Sequence, residues 1–190
     1  WGSSVALAMA LAEPSRVRRI ALYDAWVYSA QVPPFFWMAQ ADGVGEGLFS
    51  AFYTERPEDK LGSAFFDPEA VPQALVDLTE EQLARPGTTA AALAAVRGHR
   101  VFPELEKHYG SIDQPTLLLW GREDRVTTLA MGERLSKELP KAKLVVFPQC
   151  GHFPMLEAKH ASTEALRAFL AEERAAAQVA PATASAEPTP

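Results

Sequence analysis

Two apolar runs, each closed by a polar loop carrying one chemically active side chain, constrain this chain most. Pro115-Thr-Leu-Leu-Leu-Trp-Gly121 leads into Asp124, and Ala142-Lys-Leu-Val-Val-Phe147 leads into His152. Short runs rich in Leu and Val read as buried strands. Between them, Leu129 to Leu139 puts Leu129, Met131, Leu135 and Leu139 near one face of a helix that Pro140 stops. Strand, helix, strand implies parallel pairing through a helical crossover. A carboxylate and an imidazole at the ends of successive parallel strands can meet on one edge of the sheet. That geometry holds a histidine in one tautomer and makes it a general base.

The chain opens with Trp1-Gly2-Ser3-Ser4 and a small-residue helix, Val5 to Ala12, which Pro14 ends. A third strand follows, Arg18 to Tyr23, with a sharp change at Asp24-Ala25-Trp26. Three strands alone would leave a sheet edge open, so further sequence before Trp1 is expected. From 27 to 110 the pattern is helical and broken by prolines, with amphipathic stretches at Phe35 to Tyr53, Glu69 to Ala84 and Thr88 to Arg97. Gly43, Gly45 and Gly47 follow no strand, so they predict a helix break and not a nucleotide loop. Most of the aromatic residues fall between Tyr23 and Phe66. Packing accounts for the majority of them, and the remainder can line an apolar pocket. A last helix is predicted over about 158–174. After it the chain turns to Ala, Pro, Thr, Ser and Glu and is expected to be disordered over 175–190.

The string Gly151-His152-x-Pro154-x-x-Glu157, the pattern Trp120-Gly121-x-x-Asp124, and Trp1-Gly2 ahead of a small-residue helix together resemble the α/β-hydrolase superfamily. The resemblance covers nearly the whole chain. It implies an α/β fold: a mostly parallel sheet with helices on both faces, an inserted helical cap, and the N-terminal half of the sheet lying outside this chain. On that frame, 1–26 is core, 27–110 the cap and 111–174 core again. Trp1-Gly2 stands as the second half of a G-x-nucleophile-x-G elbow, so the nucleophile is expected immediately before Trp1. Ser4, in a degenerate Gly2-Ser3-Ser4-Val5-Ala6 string, is a weak rival better read as a small packing residue.

The resemblance implies His152 as base and Asp124 as the acid that orients it, with the Trp1 backbone N–H as one oxyanion-hole donor. Asp24, at the end of an earlier strand, is the alternative acid, or else caps the start of the cap. Glu123 is expected to face solvent. Trp26, Phe36 and Trp37 are the expected pocket walls. Cys150 lacks an elbow and reads as a small buried filler. His99, His108 and His160 lie in cap or helix-surface patterns. The implied function is a hydrolase acting on a small, mostly apolar ester- or amide-type substrate through a covalent intermediate, with a serine favoured before Trp1. The alternatives are an Asp-nucleophile epoxide hydrolase or haloalkane dehalogenase, and a catalytically incomplete fragment or non-enzymatic binding protein of the same fold.

The formal net charge of −6 argues against nucleic acid and anionic membranes as partners. With one cysteine there is no internal disulfide and no Cys/His zinc cluster. No ligand cluster or phosphate loop marks a metal or organic cofactor, so none is expected. The longest apolar run, Val5 to Ala12, is too short to span a bilayer. The expected partners are a small-molecule substrate and the missing N-terminal segment of the same protein. The N-terminus does not report localisation, although the cytoplasm is favoured, and the oligomeric state is not legible.

Overall fold

A computed structural model describes residues 1–54, 56–98 and 103–179. Three parallel strands form one sheet in the order β1 (Ile20–Tyr23), β2 (Thr116–Gly121), β3 (Ala142–Phe147). Ile20 pairs with Thr116 and Thr116 with Ala142; at the other end Tyr23 pairs with Leu119 and Gly121 with Phe147. All six residues of the central strand β2 are buried, which is why its sequence is a continuous apolar run and not an alternating one.

The pleat sends successive β2 side chains to opposite faces. Leu118 and Trp120 pack in a core with Leu7 and Ala10 of α1 (Gly2–Ala12) and Leu135 of α8 (Leu129–Glu138). Leu117 and Leu119 pack with Phe147, Cys150 and Phe169 of α10 (Lys159–Val179). Helices therefore cover both faces, as the fold class requires. The α8 crossover carries the chain from β2 to the parallel β3.

The connection from β1 to β2 is a helical insertion: α2 (Pro34–Met38), α3 (Val44–Thr54), α4 (Pro57–Ala64), α5 (Gln73–Leu83), α6 (Thr88–Gly98) and α7 (Pro103–Glu106). It has a small core of its own, made by Ala39, Phe49, Leu93 and Val96. Its two ends meet at Tyr28 and Tyr109, whose rings lie 5.8 Å apart, and the Tyr109 hydroxyl donates to the Val27 carbonyl at 2.6 Å. The Arg134 guanidinium lies 3.9 Å over the Tyr28 ring, and the Tyr28 hydroxyl donates to Glu138 at 2.7 Å. The root of the insertion is thereby fastened to α8.

Several boundaries differ from the sequence reading. The helix break expected at the glycines falls at Gly43, whose φ of 78° suits glycine and divides the stretch from Phe35 to Tyr53 into two helices, whereas Gly45 and Gly47 lie within α3. The α4 helix was not anticipated, because its short charged sequence has little apolar periodicity. The last helix runs through Val179, five residues past the expected boundary at 174. Alanines at 175–177 favour the helix over the expected tail; residues 180–190 lie outside the described ones. No described helix is long and apolar enough to cross a membrane.

Candidate active site

β2 and β3 end side by side, and the loops that leave them interlock. The Arg122 N–H donates to the Phe147 carbonyl, and the Glu123 N–H to the Cys150 carbonyl at 3.0 Å. In return the Cys150 N–H donates to the Glu123 carboxylate at 3.1 Å. Glu123 thus binds the neighbouring loop instead of facing solvent. A Cβ on Gly121 would collide with the Gly151 carbonyl, so the two loops cross where a side chain has no room.

This crossing brings His152 and Asp124 together. His152 Nδ1 lies 3.0 Å from Asp124 Oδ2; the Asp124 side chain is fully buried and the His152 side chain 25% exposed. The other Asp124 oxygen accepts the N–H groups of Val126 at 2.7 Å and Thr127 at 3.0 Å. The Thr127 hydroxyl donates to Oδ2 at 2.7 Å. Burial pushes the Asp124 carboxyl up, but the hydrogen bonds from His152 and Thr127 outweigh it and hold the group below the ordinary carboxylate range. The carboxyl is therefore held as an anion. With Nδ1 committed to it, Nε2 is the nitrogen left for proton transfer.

His152 is held from its backbone as well. Its N–H donates to the Ala64 carbonyl at 2.8 Å. Glu157, at the end of α9 (Pro154–Glu157), accepts the N–H groups on either side of it: Gly151 at 3.0 and 3.1 Å and Phe153 at 3.1 Å. It also accepts the N–H of Phe66 at 2.7 Å. Gly151 presses against the Ala64–Phe66 backbone, with no space for a Cβ. One carboxylate thus joins the base loop to the end of α4. Glu157 stands within the quoted string, but nothing in the spacing alone announces this clamp. Thr127 was likewise missed; a Thr three residues after an Asp is a common local hydrogen-bonding pattern and could have signalled it.

Asp24 is 4% exposed and follows β1 with a φ of 41°. Its Oδ1 accepts the Gly121 N–H at 2.9 Å, so it joins β1 to β2 and does not cap a helix. Gln149, after β3, has a φ of 53°. Two of the three strands thus end in a strained non-glycine residue at this edge, as functional edges often do. Asp24, Asp124 and His152 bring potential ligand atoms within 4.8 Å of one another, the one such group among the described residues. The Asp124 oxygens are already engaged by the four donors named above, which suits an acid–base pair better than a metal centre.

Ser4 is buried, and its hydroxyl donates to the Trp26 carbonyl at 2.6 Å, in keeping with a packing role. Cys150 is fully buried, and burial pushes its thiol up to about 12, far from a reactive thiolate. His108 and His160 lie on the surface; His99 is outside the described residues.

A cavity of about 260 Å³ is lined by Trp1, Phe35, Phe36, Phe49, Phe52, Ala92, Ala95 and Val96. Phe36 was expected there. Trp26, also expected there, stacks on Phe36 with ring centroids 5.7 Å apart but is not part of the lining. Trp37 is 63% exposed and lies outside it. Successive residues of a helix turn by about 100°, so α2 can direct Phe35 and Phe36 inward only by turning Trp37 out. The Trp1 ring lies 6.2 Å from Trp26 and 6.5 Å from Phe36, connecting the cavity to the chain leaving β1.

A pimeloyl-[acyl-carrier protein] methyl ester esterase of Nitrosomonas europaea is 29% identical over 165 residues, covering 82% of this chain and 62% of that protein. A 2-hydroxymuconate semialdehyde hydrolase of Pseudomonas sp. strain CF600 is 32% identical over 183 residues, covering 93% of this chain and 62% of that protein. The chain thus spans about 60% of the length of the curated relatives it matches. Among solved structures, a meta-cleavage product hydrolase of Pseudomonas fluorescens IP01 aligns with a TM-score of 0.69 at 23% identity, over 90% of this chain and 62% of that one. The family described as alpha/beta hydrolase fold matches residues 1–159. Covered sheet, interlocked loops and family match agree: this chain belongs to the α/β-hydrolase fold family.

Proposed function

We propose that a protein containing this chain hydrolyses small, mostly apolar acyl compounds through a covalent intermediate. The observation that carries this reading is the 3.0 Å contact between His152 Nδ1 and a fully buried Asp124 carboxylate, with the imidazole still partly open. Asp124 is the orienting acid and His152 the base. The nucleophile, a serine, immediately precedes Trp1. His152 Nε2 takes the hydroxyl proton as the oxygen attacks the substrate carbonyl carbon. The same proton then passes to the leaving group, and the acyl-enzyme forms. Water, deprotonated by Nε2, attacks the acyl carbon; the bond to the serine oxygen then breaks, and Nε2 returns that proton to it. The Trp1 N–H, following the nucleophile, donates to the carbonyl oxygen as it becomes an anion.

The helical insertion is the cap, and its aromatic cavity takes the apolar part of the substrate. Its lining of Phe, Ala, Val and Trp offers nothing to compensate a buried charge. A second reading is cleavage of a carbon–carbon bond next to a carbonyl, supported by the 32% identity to the 2-hydroxymuconate semialdehyde hydrolase.

The test uses the chain extended upstream of Trp1. Hydrolysis of p-nitrophenyl butyrate, together with a fluorophosphonate adduct on the residue before Trp1, is the expected result. Turnover without that adduct would replace serine with an aspartate nucleophile of the epoxide hydrolase or dehalogenase kind. No turnover of esters, vinylogous ketone acids, epoxides or haloalkanes would leave a binding protein of the same fold.

A further inference from the structure

The second carboxyl of the cluster has no part in the chemistry above. Asp24 is 4% exposed, and only one of its oxygens is engaged, by the Gly121 N–H. The other, Oδ2, is buried with no hydrogen-bond partner. A buried carboxylate oxygen left without a donor is costly, whereas a protonated one is not. Two carboxylates and one imidazole share this cluster, within 4.8 Å. The groups facing Asp24 are Asp124 from the acid loop, His152 and Cys150 from the base loop, and Glu157 from α9. Of these only the imidazole can be a cation, and it already serves Asp124. Asp124 also collects two backbone N–H groups and the Thr127 hydroxyl. Like charges so close do not both persist, and the better-served one keeps its charge.

We infer that Asp24 is a positioning residue held as a neutral carboxylic acid, whose Oδ2–H is directed at the Asp124–His152 pair and limits how tightly Asp124 retains the imidazolium proton. Burial pushes Asp24 up to about 9; the Gly121 N–H opposes that shift, and the negative Asp124 and Glu157 add to it. A neutral donor and a second anion have opposite consequences. Losing a neutral donor leaves Asp124 more strongly negative, so the acid limb of the pH–rate profile moves up. Losing an anion moves that limb down. The left-handed backbone at residue 24 accepts Asn and Gly without added strain.

This inference rests on the hydrolase reading, so one arm of its test needs no turnover. In the extended chain, the carboxyl ¹³C resonance of Asp24, assigned by its loss in Asp24→Asn, should stay at the protonated position at pH 7. A resonance that titrates below about pH 5, as an ordinary carboxylate does, overturns the proposal whether or not the protein is a hydrolase. The second arm follows p-nitrophenyl butyrate hydrolysis against pH. Asp24→Asn, which keeps an acceptor and a donor, should cost less than about tenfold in kcat and leave the acid limb in place. Asp24→Gly should cost more and raise the limb by about half a unit or more. A downward move in either variant, or a loss in Asp24→Asn as large as in Asp124→Asn, makes Asp24 an ionised acid and overturns the proposal.

Discussion

At the sheet edge, Asp124 accepts hydrogen bonds from Val126, from Thr127 twice and from His152, while Glu157 clamps the backbone on both sides of His152. In the helical insertion, the cavity is built mainly from Phe, Ala and Val side chains, which have no hydrogen-bonding atoms. The first region fixes atoms through directional contacts. The second fixes a shape through packing, which tolerates exchange of one apolar side chain for another. On the proposed function, chemistry and substrate choice fall on two kinds of structure, and substitutions in each should fail differently.

The largest effect should come from the edge. In the extended protein, His152→Ala is expected to lower kcat by about 10⁴-fold, with a folded chain by circular dichroism. A loss under tenfold would remove His152 as the base. Glu157→Gln should follow, because its amide nitrogen must face N–H groups where an oxygen accepted them. A misplaced imidazole should cost about 10²-fold in kcat with KM little changed. A rise in KM alone would show that Glu157 serves the insertion and not the base. Phe36→Ala tests the other region. It should raise KM for p-nitrophenyl butyrate by about tenfold and leave kcat within about threefold; a collapse in kcat would erase the division between the two regions.

The smallest expected signal is a pH dependence of stability, opposite in sign for the two carboxyls. Asp24 holds a proton in the folded state from near 3.8 up to about 9 that the unfolded chain has lost. Its contribution therefore falls as pH rises through that window. Asp124, held below the ordinary range, stabilises above the unfolded carboxylate value and loses that stabilisation as pH falls through its own. Denaturant titrations should show the stability of Asp24→Asn gaining on the parent between pH 5 and 9. No change in the gap would mean that Asp24 folds as an ordinary carboxylate.

The edge was legible because its signals are local. A wholly buried strand writes itself as an unbroken apolar run, and the loop residues follow at fixed offsets from Gly121 and Gly151. The partners of those residues were not legible. Glu123, expected in solvent, reaches the Cys150 N–H, and Asp24, expected as the alternative acid or as a cap at the start of the insertion, reaches the Gly121 N–H. Hydrogen bonds from side chains to a distant backbone leave no period in the sequence. The insertion showed its helices but not its lining. Three separate helices supply the cavity wall, and Trp37 differs from Phe36 only by one step of helix rotation. Its end near Ala64–Phe66, where α4 meets the base loop, had no sequence signal at all.

Whether Asp124 and His152 work as one unit is tested most directly by a double-mutant cycle on kcat/KM in the extended protein. His152→Ala, Asp124→Asn and the combined variant are compared with the parent. If the acid acts only through the base, the combined variant should be no slower than His152→Ala by itself. Losses that multiply, each substitution costing its full factor in the presence of the other, would contradict the pairing.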